Sequence, residues 1–150
     1  MWAVSGPLSA HSAPQSFVKF DFLEHSVRAE ILIPESELAF AMPSDATSLP
    51  FDAYLLRHIA ANTPAGASWK IEVRSVRKTV YLEHDYLQAD VVMTPPAGSS
   101  ARKLKFSDDA VTHEVRNHVI VVLARTANQP AVLGALQYPA KQLEIAQPAQ

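Results

Sequence analysis

Apolar and polar residues alternate through residues 17–22, with Val18, Phe20 and Phe22 on one face and Lys19 and Asp21 on the other. That is the period of a half-buried strand. The alternation resumes with Val27, Ala29, Ile31 and Ile33 against Arg28 and Glu30, and the intervening Glu24-His25 is short enough for a hairpin. Pro34 breaks the pattern, and residues 35–46 read as an irregular excursion or a short helical turn. From residue 50 to 62 the period changes. Phe51, Leu55, His58/Ile59 and Asn62 recur at helical spacing, Pro50 suits a first turn and Pro64 follows the end, so this segment is expected to be the one helix.

Extended patterning returns at Trp69, Ile71 and Val73 against Lys70, Glu72 and Arg74, then at 78–83 and 87–94, with His84-Asp85-Tyr86 expected to connect the last two. Pro95-Pro96-Ala97-Gly98-Ser99-Ser100 is a loop by composition. Strands are expected again at 102–106, 117–124 and 132–138. Short strands at regular spacing around one helix predict a mainly β fold, an immunoglobulin-like antiparallel β-sandwich with one inserted α-helix. A closed barrel with a lid helix is the alternative. The expected organisation is a signal-peptide remnant or disordered N-terminus at 1–10, a single domain at 11–138 and a flexible C-terminal tail at 139–150.

Composition narrows the chemistry. The 150 residues are 48% hydrophobic and 19% charged, which suits one globular core. A formal net charge of -2 supplies no basic footprint for nucleic acid. The apolar run at 119–124 is far short of the ~20 residues of a membrane-spanning helix. Without cysteine, disulfides, thiolate nucleophiles and the cysteine-rich zinc or iron–sulfur sites are excluded. The first ten residues carry no charge and end in small residues, like the last part of a secretory signal. Cleavage after Ala10 would make His11 the mature N-terminus.

No Gly-x-Ser-x-Gly elbow and no phosphate-cradling glycine loop occurs, so no enzymatic activity is expected. The carboxylate pairs Glu35/Glu37 and Asp108/Asp109 read as solvated loop acids. The histidines remain, because a cysteine-free transition-metal site must use nitrogen and oxygen donors. His113 and His118 would lie on opposite faces of a continuous strand and share a site only if the chain bends between them. A mature N-terminal His11 could chelate through its amine and ring. His58 reads as a core histidine near the apolar helix face, and His25 and His84 as surface turn residues.

Three stretches carry a resemblance: His11-Ser-Ala-Pro-Gln-Ser; Tyr54-Leu-Leu-Arg-His-Ile with Trp69-Lys-Ile-Glu-Val; and Met93-Thr-Pro-Pro-Ala-Gly through His113-Glu-Val-Arg-Asn-His118. Together they resemble the extracytoplasmic N-terminal region of HupE/UreJ-like bacterial membrane proteins, over about residues 11–125. The chain departs from that family's usual opening of His-Pro followed by Met and Pro. The resemblance implies a periplasmic domain, membrane-tethered in the full-length protein, in a family linked to nickel or cobalt uptake. It also implies histidine at positions 11, 58, 113 and 118. The expected function is therefore binding of a divalent transition metal (copper, nickel or zinc) by His11, His113 and His118, with His58 as fourth ligand or support. The expected partners are that metal ion and the membrane domain or a membrane partner. A non-catalytic structural or interaction module is the competing expectation, and a hydrolase with metal-activated water is a remote third.

Overall fold

A computed structural model describes residues 13–42 and 50–149. The proposed N-terminal remnant at 1–10 and His11 lie outside the described residues. Nine strands and two helices follow in the order β1 (Ser16–Phe22), β2 (Val27–Pro34), α1 (Glu35–Ala41), α2 (Phe51–His58), β3 (Ile59–Asn62), β4 (Lys70–Tyr81), β5 (His84–Thr94), β6 (Lys103–Asp108), β7 (Ile120–Ala124), β8 (Ala131–Leu136) and β9 (Gln142–Ala146). They form a six-stranded sheet, β4-β5-β2-β1-β7-β8, and a three-stranded sheet, β3-β6-β9. The expected β-sandwich is the fold found. Among the described strands one pair is parallel, β1 with β7, with Phe17 opposite Val121 and Phe20 opposite Ala124. Parallel strands need a long crossover, and here most of the chain lies between the two.

The core follows the alternation in the sequence. Val18 and Phe20 of β1, Ala29 and Ile31 of β2, Val91 of β5 and Val122 of β7 meet Leu104 and Phe106 of β6 from the other sheet. Phe20 and Phe106 touch edge to face across the layers, with centroids 5.1 Å apart. The outer face of the large sheet carries a smaller cluster of Phe17, Leu32 and Tyr86. No helix among the described residues is long and apolar enough to cross a membrane.

Four differences from the expected elements bear on function. Among the described residues there are two helices rather than one, because residues 35–41 complete two turns that bury Leu38 and Ala41. The second helix stops at His58 rather than Asn62. Ile59–Asn62 instead pairs antiparallel with Asp108–Lys105 of β6, so inter-strand hydrogen bonds replace the next helical turn. His84-Asp85-Tyr86 belongs to β5, and the turn falls at Leu82-Glu83, where both residues take positive φ (47° and 66°). A two-residue turn with that backbone favours Asn-Gly, and an L-residue in the left-handed region costs about 1–2 kcal/mol. Finally, β9 lies inside the segment expected to be a tail and pairs with β6, Leu104 opposite Ile145. Ile145 is buried in the core.

Candidate functional site

The ends of α2 and β6 bring His58 and Asp109 together. Ile59 sits opposite Asp108 in the β3–β6 ladder, so the residues immediately outside that pair emerge side by side. The Asp109 amide donates to the His58 carbonyl at 3.0 Å, and His58 Nδ1–H donates to Asp109 Oδ1 at 2.8 Å. Beyond Asp109 the chain winds into tight turns. The His113 amide donates to the Asp109 carbonyl at 3.0 Å and the Val115 amide to the Val111 carbonyl at 2.8 Å. This winding lays the His113 ring on the His58 ring, with centroids 4.2 Å apart and planes 8° from parallel.

Tyr54, one helical turn before His58, ties the assembly to the core. Its ring lies 4.5 Å from that of His58. Its oxygen accepts from the Val111 amide at 3.0 Å, and its hydroxyl donates to His113 Nε2 at 3.0 Å. Val111 has φ 65°, a conformation that is a genuine outlier for a β-branched residue and costs about 1–3 kcal/mol. The bonds to its amide and carbonyl hold it there. Strain of this kind, in a fully buried residue beside two histidines, marks the turn as the best candidate for a functional element.

Burial sets the electrostatics. Asp108 accepts from the Ala110 amide at 2.9 Å. Burial above all, with the charge of Asp109 adding, pushes its carboxyl up to about 8 against the lowering effect of the Ala110 bond, so it is mainly protonated at neutral pH. Burial likewise pushes the Tyr54 hydroxyl up to about 12. The His113 imidazole is pushed down, first by burial and then by His58, against the opposing charges of Asp109 and Glu114.

His118 leaves the same loop but occupies a different setting. It is buried at 2% exposure. The Ser16 hydroxyl at the start of β1 donates to its Nε2 at 2.7 Å, and its Nδ1 faces Glu37 Oε2 of α1 at 3.8 Å. Burial pushes the imidazole down to about 4 and the Glu37 carboxyl up. Ser, His and Glu in this order resemble a nucleophile, base and orienting acid. Three features give the trio a structural role instead. All three residues are buried, the Glu37 contact is too long for a hydrogen bond, and the Ser16 amide is already donated to the Val119 carbonyl. The trio joins β1, α1 and the approach to β7.

Of the proposed ligands, then, His58 and His113 are brought together, His118 has Ser16 and Glu37 as its side-chain partners, and His11 lies outside the described residues. No group of three or more His, Asp or Glu side chains placed to hold one ion occurs among the described residues. The stacked pair fits half of a metal site. His58 Nε2 is left over once Nδ1 is bound to Asp109, and carboxylate-oriented imidazole is the usual support for a metal-ligating histidine. Glu114 Oε1 lies 3.7 Å from His113 Nδ1 and offers an oxygen donor. Because the ring planes are parallel, their in-plane lone pairs run side by side. One ring must rotate for both to meet one ion.

The carboxylates expected to be solvated are the clearest correction. Glu37 and Asp108 are buried, and Asp109 holds His58. One signal for Asp108 was available: Leu104, Phe106 and Asp108 share one face of β6 by period two. Ser16, Glu37 and Tyr54 carried no comparable mark. His25 is exposed beside Glu24 in a turn, as expected, and His84 is exposed as expected but at the start of β5 and not in the turn. No family model matches this chain, and no curated protein matches it.

Proposed function

We propose that this chain is the extracytoplasmic domain of a HupE/UreJ-like membrane protein and that it binds a divalent transition metal, copper, nickel or zinc, at the His58–His113 pair. The observation that carries this reading is the stacked pair itself, with His58 oriented by Asp109 and the pair anchored on a strained turn. His58 supplies Nε2. His113 supplies Nδ1 once its ring hydrogen moves to Nε2, where the Tyr54 oxygen can accept it. Glu114 adds oxygen, and the remaining positions fall to water or to donors outside the described residues, His11 among them. In this reading His118 is a core residue, and the domain is a non-catalytic binding module.

Calorimetric titration of the purified chain with each metal tests the proposal. The expected dissociation constant is below about 10 μM for at least one metal, with loss of binding in both His58→Ala and His113→Ala. Weaker binding to all three metals overturns it. The parallel ring planes favour one second reading, a structural or interaction module in which the pair serves packing alone. That reading expects the double variant His58→Gln/His113→Gln to fold and to keep all partner binding.

A further inference from the structure

We propose that copies of this chain associate head to tail, the tip of the β4–β5 hairpin of one copy seating in the cleft beside Arg102 and Lys103 of the next. This contact is independent of the histidine pair.

The tip breaks local rules without a folding return. Leu82 takes φ 47° in a two-residue turn, a position suited to Asn or Gly, yet its side chain is 61% exposed and that of Val80 71% exposed. Large apolar residues held at some conformational cost in solvent mark a contact made elsewhere. Glu83 and Asp85 stand exposed beside them, and neither has an ion pair among the described residues. The tip therefore calls for an apolar hollow rimmed by cations.

The chain carries such a hollow. A cleft of about 910 Å³ has Pro64, Ala65, Ala146 and Pro148 in its wall, together with four uncharged polar residues and the cations Arg102 and Lys103, and no carboxylate lines it. Neither cation has an ion pair among the described residues. The walls of the cleft come from the segment after β3, the start of β6 and the end of β9. Asn62 at the end of β3 bridges Ser68 just ahead of β4, which places the cleft on the base side of the β4–β5 hairpin, away from its tip. At about 3.3 Å per residue, a strand as long as β4 separates them by roughly 35–40 Å, too far for one copy to satisfy itself. Two different patches make a heterologous contact, which propagates as an open chain instead of closing as a dimer.

Sedimentation of the full chain reads this directly. The average mass is expected to rise above the 16.4 kDa monomer with concentration, and to fall back in high salt as the charges are screened. Leu82→Asn should abolish association while raising the melting temperature by roughly 2–4 °C, because Asn tolerates the left-handed turn. Arg102→Glu/Lys103→Glu should also be monomeric. Mixed together, the two variants keep one good knob and one good hollow, and should form a 1:1 complex that grows no further. The proposal is overturned by a chain that stays monomeric to about 1 mM, by association that survives Leu82→Asn, or by a mixture that forms no complex.

Discussion

His113 and His118 leave the same loop and end in opposite circumstances. The His118 ring is enclosed, with Ser16 on one nitrogen and Glu37 facing the other. His58 and His113 keep 19% and 22% of their side chains exposed, and their rings are oriented from one side by Asp109 and Tyr54. An imidazole enclosed in the core works for the fold. An oriented imidazole that still reaches solvent is free to work on a ligand. Residue type is the same in both, and what differs is whether the surrounding chain seals the ring from solvent.

The largest expected effect separates the two on stability. His118→Ala leaves a hole and an unpartnered buried Ser16 hydroxyl, and should cost about 3 kcal/mol in chemical denaturation. His58→Ala and His113→Ala should each cost about 1 kcal/mol or less. Equal costs at all three positions would erase the distinction.

The next concerns pH. The unfolded chain protonates histidine near the ordinary 6.5, whereas folded His118 resists protonation until about 4. The stability linked to this ring is complete above pH 6.5 and is lost as pH falls toward 4. His113, also pushed down, acts in the same sense. Asp108 acts oppositely: pushed from 3.8 up to about 8, its contribution is complete below pH 3.8 and is lost as pH rises through 8. The slopes therefore oppose one another between about 4 and 6.5, and stability should decline from 6.5 to 8. Asp108→Asn should remove that decline. A wild-type stability that rises from pH 6.5 to 8 would contradict this assignment.

Tyr54→Phe should cost about 1–2 kcal/mol, since the buried Val111 amide loses its acceptor. Amide exchange at Val111 should accelerate more than exchange across β6, and unchanged exchange there would mean the hydroxyl does not hold the turn. The smallest effect is the most selective. Asp109→Asn should weaken metal affinity about 10-fold through loss of His58 orientation, while His118→Gln leaves affinity unaltered in titrations at a temperature where both variants are folded.

Much of the sandwich was legible because strand patterning is local. Val18, Phe20, Ala29 and Ile31 declare a buried face by period two, and they line the core. The misread elements are those where a partner overrode the local pattern. Residues 59–62 look helical until β6 offers a ladder, and 142–146 look like a tail until the other edge of β6 takes them up. The Leu82-Glu83 turn was hidden because its residues do not advertise the backbone they adopt.

By itself, then, the sequence determined the layered β architecture, the absence of thiol chemistry and the histidines as the residues most worth following. Only the tertiary structure decided which histidines meet. That choice rests on contacts between residues far apart in the chain, Tyr54 with Val111, His58 with Asp109 and Ser16 with His118. Such contacts leave no period in the sequence, because each depends on where two separate elements end and on the turn that joins the next.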